Sequence, residues 1–130
     1  MEIVPFEIAK KLEEKGFSLP SGEVIGKYDS DGVYHSQLYI NFTETMDSEE
    51  IIAPIISQVL KWLREEKQIS IEPTIHSSLK WVSGIYSFDD GLTDFTQYNT
   101  NIVDDTIYIF YDSYEQAALT GIQYTLDNLI

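Results

Sequence analysis

Between Met46 and Ile75 the hydrophobic period of the chain changes within two residues, and this change constrains the fold more than any other feature. Ile52, Ile55, Ile56, Val59, Leu60 and Leu63 recur at the i, i+3, i+4, i+7, i+8, i+11 spacing that gathers side chains along one stripe of a helix. Ile69, Ile71 and Ile75 then fall on alternate positions, as a half-buried strand requires. The spacing predicts a helix starting within residues 51–54 that hands over directly to a strand over 69–75. Asp47 or Ser48 is available as its N-cap, and Glu49 and Glu50 suit a helix amino end. Trp62 falls at the margin of the apolar stripe, where a large ring is half-buried and serves either as a core edge or as a ligand platform.

The flanking sequence supplies the other elements. Pro5 in a first turn, a stripe of Ile8 and Leu12 with Phe6 or Ala9, and Gly16 as a C-cap predict a helix over 4–15. Phe17 and Leu19 are placed to fold back on its end. Asp29-Ser30-Asp31-Gly32 between β-rich runs over 23–28 and 33–42 predicts a hairpin. The same four residues resemble the start of a calcium loop. That pattern needs an acid where Lys27 stands and a bidentate glutamate where Leu38 stands, so the turn is the better reading.

Further strands are expected over 79–88 and 92–98, joined at Asp89-Asp90-Gly91, and over 106–111. The last of these is apolar or aromatic on both alternating faces and reads as central and covered on both sides, or as covered on one side with tyrosines lying on the other. Ser113 and Gln116 form a capping box for the last helix, with Tyr114, Ala118, Ile122, Leu126 and Leu129 as its stripe. Ala117 and Gly121 are small and one turn apart, which predicts a close approach to a neighbouring element there. Together these elements predict a single α+β domain over residues 1–130, with an antiparallel or mixed sheet of about five strands and three helices mainly on one face.

Charge limits the partners. The formal net charge is −14, from 22 acidic and 8 basic side chains. Residues 1–67 carry 13 acids and 7 bases, whereas residues 68–130 carry 9 acids and only Lys80. Binding to nucleic acid or to an anionic membrane depends on basic side chains that neutralise phosphates, so neither is expected. A basic protein partner, or solubility alone, fits the balance. With no cysteine there are no disulfides, thiolate metal sites or cysteine nucleophiles. The amino terminus lacks the basic and apolar regions of a signal peptide, and no run approaches the roughly 18 apolar residues of a membrane span. A cytoplasmic location is the expectation.

Chemistry-bearing residues are sparse. His35 and His76 belong to no metal-ligand spacing and read as surface or hydrogen-bonded histidines. Asp89, Asp90, Asp94, Asp104, Asp105, Asp112 and Glu115 form an acidic series without a base among them. Such carboxylates perform acid/base work or hold a divalent cation only where a cleft makes them converge; otherwise they form a solvated face. No phosphate-binding, nucleophile-elbow or zinc-protease motif occurs, and no cofactor is expected. Nine tyrosines and two tryptophans suit a β-rich core or a protein-binding face. The candidate interaction surface is Trp62 with Asp89, Asp90, Asp94, Asp104 and Asp105.

Three blocks occur together: residues 5–17 (Pro-Phe-Glu-Ile-Ala-Lys-Lys-Leu-Glu-Glu-Lys-Gly-Phe), residues 53–72 around Gln-Val-Leu-Lys-Trp-Leu-Arg-Glu-Glu-Lys, and residues 110–118 (Phe-Tyr-Asp-Ser-Tyr-Glu-Gln-Ala-Ala). In these blocks the chain resembles small uncharacterised proteins of Bacteroides-type genomes, often found among prophage or other mobile-element genes. Residues 77–105 carry no part of the resemblance. It implies a bacterial or phage origin and transfers no functional residue. The expected function is non-enzymatic protein interaction, with a nucleic-acid mimic or an immunity-type inhibitor as forms of it. The alternative is a small enzyme or divalent-metal binder using the carboxylates between Asp89 and Glu115.

Overall fold

The structure is a computed structural model that describes residues 2–36, 49–75, 80–88, 95–99, 102–103, 107–108 and 111–130. It divides into two units, Met1–Ile55 and Ile56–Ile130. Both are α+β, and the described residues hold three helices and eight short strands.

In the first unit, Pro5 takes an extended ψ of 157° and stands just outside helix α1, Phe6–Glu14. The helix ends as the glycine predicts. Gly16 adopts φ +86°, its N–H bonds to the Glu13 carbonyl at 3.1 Å, and the Phe17 N–H reaches the Leu12 carbonyl at 3.0 Å. This is the Schellman arrangement, and its usual apolar contact partners, Leu12 and Phe17, are both buried. A single 3₁₀ turn, Ser21–Glu23, leads into a small antiparallel sheet of β1 (Gly26–Tyr28), β2 (Tyr34–Ser36) and β3 (Ile51–Ile52), in the order β2-β1-β3. Val4, Ile8, Ala9, Leu12, Val24, Tyr28 and Ala53 form its core. The Tyr28 hydroxyl donates to the Val4 carbonyl at 2.7 Å, tying the hairpin to the strand-like segment before α1.

The second unit begins with α2, Ile56–Glu66. Strands β4 (Ile69–Ile75), β5 (Trp81–Phe88) and β6 (Phe95–Asn99) make an antiparallel meander. A two-stranded hairpin of β7 (Ile102–Val103) and β8 (Ile107–Tyr108) follows, and α3, Tyr114–Asn128, closes the chain. Ile69, Ile71, Ser83 and Ile85 are buried on one face of β4 and β5, beneath Val59 and Leu63 of α2 and Ala117, Ala118, Ile122 and Leu126 of α3. Gly121 is where α3 comes nearest. A Cβ built there would lie 2.7 Å from both Ile71 Cγ2 and Ser83 Oγ, so the missing side chain allows the helix onto the sheet.

Two expectations need correction. Among the described residues the strands form three antiparallel sheets, two of three strands and one of two, rather than a single sheet of about five. Most of these pairings join strands adjacent in sequence, which costs little loop entropy, whereas β3 pairs with β1 across β2. The central helix starts at Ile56, beyond the 51–54 window, and its stripe lacks Ile52 and Ile55. Ile51–Ile52 instead pair with β1, and Ile55 bridges Ile3. Pro54 explains this: it disfavours helical backbone at the preceding residue, while the β-branched pair before it suits a strand. Asp47 and Ser48 lie outside the described residues, and the helix begins too late for either to cap it. Of the strand expected over 106–111, Ile107–Tyr108 pairs with β7, while residues 106, 109 and 110 lie outside the described residues. Tyr111 bridges Trp81.

Candidate interaction surface

Of the residues singled out by sequence, Trp62 is half-buried on α2, and the Lys67 ammonium lies 5.5 Å from its ring centroid. Lys61 and Arg64 are exposed on the same helix, and so are Glu65 and Glu66, one turn on from Trp62. Asp89, Asp90 and Asp94, between β5 and β6 in the chain, and Asp104 and Asp105, between β7 and β8, lie outside the described residues. His76 does as well. Asp112 and Glu115 are exposed at the start of α3. Among the described residues, no group of three or more His, Cys, Asp or Glu could hold a metal ion.

The Asp29-Gly32 turn has both its carboxylate oxygens committed inward. Asp29 Oδ1 accepts the N–H groups of Asp31 at 2.9 Å and Val33 at 3.0 Å, and Oδ2 lies 2.9 Å from His35 Nε2. The His35 contact first, and then the Val33 N–H, hold the Asp29 carboxyl below the ordinary aspartate value. Gly32 at φ +80° completes a three-residue hairpin loop. The acid is a turn clamp, and His35 is its hydrogen-bonded partner.

A different cluster sits at one end of the second unit's sheet. Register places Ile75 opposite Trp81 on β4 and β5. On the other side of β5, Trp81 and Tyr111 exchange backbone hydrogen bonds of 2.9 and 2.8 Å. Alternation along β5 puts Trp81 on the face that also carries Ser83 and Ile85, at the end where α3 begins. There Tyr114, the first helical residue, meets the Trp81 ring edge to face, with centroids 5.6 Å apart and planes at 88°. The covered core thus opens into an apolar corner. Ile75 is 55% and Tyr114 39% exposed, and Trp81 is half-buried.

The rim of this corner is charged. Lys80, next to Trp81, pairs with Asp112, and both are exposed. That hydrogen bond, followed by the ammonium charge, holds the Asp112 carboxyl below its ordinary value. Ser113 caps α3 by accepting the Gln116 N–H at 3.1 Å, and Gln116 Oε1 in return accepts the N–H of Asp112 at 3.0 Å. The capping box therefore fixes the backbone that carries Asp112, Tyr114 and Glu115. Trp81 falls inside the strand expected over 79–88, and nothing in the spacing shows that it meets Tyr114. Comparison with known proteins adds no precedent: no family model, curated protein or solved structure matches the chain.

Proposed function

We infer that the protein is a small, acidic, non-enzymatic interaction protein that binds a basic protein surface through the part of the chain after α2. The observation that carries this reading is the corner of Ile75, Trp81 and Tyr114, an exposed apolar and aromatic centre with Asp112 and Glu115 at its rim. Aromatic anchors inside a polar rim are how protein interfaces concentrate their binding energy. The charge balance supports a basic partner: residues 68–130 hold nine acids against Lys80, and Lys80 is already engaged by Asp112. Attraction over long range follows from the net charge of −14. Among the described residues no helix is long and apolar enough to cross a membrane. We place the protein in the cytoplasm of a bacterial host, in the prophage-type setting implied by its resemblance.

The test uses the full chain, tagged and exposed to a bacterial lysate at low salt, followed by elution at rising salt and purification of whatever is retained. A basic protein should elute at moderate salt, and its purified form should bind Asp112→Asn/Glu115→Gln more weakly than wild type. A partner that is neutral or acidic, or whose binding ignores salt, would overturn the reading.

A further inference from the structure

We propose that the corner of Ile75, Trp81 and Tyr114 is a receptor for an arginine side chain in a basic segment of the partner, which takes Asp112 from Lys80. The proposal rests on the interaction reading above and names the chemistry of that site.

Asp112 already holds a cation, from its own chain. Lys80 and Asp112 are 50% and 76% exposed, so their ion pair is screened by water and readily exchanged. Lys80 is a point charge on a flexible stem; an incoming guanidinium is planar, grips a carboxylate through two parallel hydrogen bonds and stacks on aromatic rings. Both kinds of partner are present together here. Asp112 stands two residues before Tyr114, whose ring packs on Trp81, and the exposed Ile75 offers apolar surface for the arginine stem. Glu115 is exposed one residue further on and adds a second carboxylate for a neighbouring cation. Charge complementarity favours the basic segment over other occupants, because Lys80 is the sole Lys or Arg after Lys67 and an arriving cation meets little repulsion. The structure thus gives Lys80 the role of an internal competitor for the partner's arginine.

The test uses the full chain with Trp62→Phe, which leaves Trp81 as its one tryptophan. It is titrated at low salt with a short arginine-rich peptide carrying one leucine, with the lysine version, and with the uncharged citrulline version. Trp81 emission should respond saturably to the arginine peptide, and the lysine version should bind about two- to fivefold more weakly, the fold-change expected of an exposed cation–π contact. The citrulline version should not bind measurably. Lys80→Gln should tighten the arginine complex by about two- to fivefold by removing one screened competitor. Tyr114→Ser, at an exposed position that need not disturb the fold, should weaken it. An affinity unchanged or lowered by Lys80→Gln, or indifferent to Tyr114→Ser, overturns the proposal. If the arginine and lysine peptides bind equally, in a salt-dependent manner and away from Trp81, the arginine receptor fails while the basic-partner reading stands. If neither binds at low salt, both fail.

Discussion

Gly121→Ala separates two opposing effects at one atom. In an ordinary helix interior, replacing glycine by alanine gains about 1 kcal/mol through reduced chain entropy. Here the new Cβ would stand 2.7 Å from Ile71 Cγ2 and 2.7 Å from Ser83 Oγ, closer than real Cβ contacts come. Ile71 is buried and β-branched, so its methyl cannot swing aside without a rotamer change, and Ser83 is fully buried. Relieving the contact requires α3 to lift off the sheet, and overpacking of this kind costs about 1–3 kcal/mol. The net expectation is a loss of about 1 kcal/mol. Both tryptophans, Trp62 and Trp81, lie in the second unit, so its urea transition can be followed by their emission. The midpoint should fall at unchanged slope. A double-mutant cycle locates the cause: in a Ser83→Ala background, which removes one of the two close atoms, Gly121→Ala should cost measurably less. A gain of about 1 kcal/mol in the wild-type background would refute the close approach of α3, since only the propensity effect would then remain.

Three further outcomes concern the first unit and are read by amide hydrogen exchange. Tyr28→Phe removes the buried bond to the Val4 carbonyl and should lower protection in α1 and the hairpin by about 1–2 kcal/mol; no change would mean that water replaces the hydroxyl. Gly32→Ala places a side chain at φ +80° and 2.8 Å from the Phe6 ring, and should destabilise the hairpin by about 2 kcal/mol. Asp29→Asn should remove a pH-dependent contribution. Because the folded Asp29 value lies below the ordinary 3.8, ionised Asp29 favours the fold above that pH, and the benefit is lost as pH falls through the folded value. The stability difference between wild type and Asp29→Asn should therefore shrink as pH drops below 3.8, and a difference that grew with acid would contradict the clamp.

Local signals were legible in proportion to their independence from tertiary partners. The glycine C-cap at Gly16, the Asp29-Gly32 hairpin and the Ser113 cap are each decided within a few residues, and all three occur where the sequence places them. Strand β4 matches its expected bounds for the same reason, although Ile75 at its end is exposed rather than covered. The small residues of α3 announced a close approach without naming Ile71 and Ser83 as its target. The start of α2 was misplaced because Ile51 and Ile52 satisfy both a helical and a strand pattern, and pairing with β1 decides between them. Trp81 and Tyr114 meet only because β5 starts where α3 begins, a fact of topology that no spacing in the chain encodes.

The most direct measurement is chemical-shift mapping of the full, isotope-labelled chain against the arginine-rich peptide at low salt. If the corner is the docking site, perturbations should concentrate at Ile75, Lys80, Trp81, Asp112, Tyr114 and Glu115, and should fade as salt is raised. Perturbations centred on Trp62 in α2, or within Met1–Ile55, would contradict it.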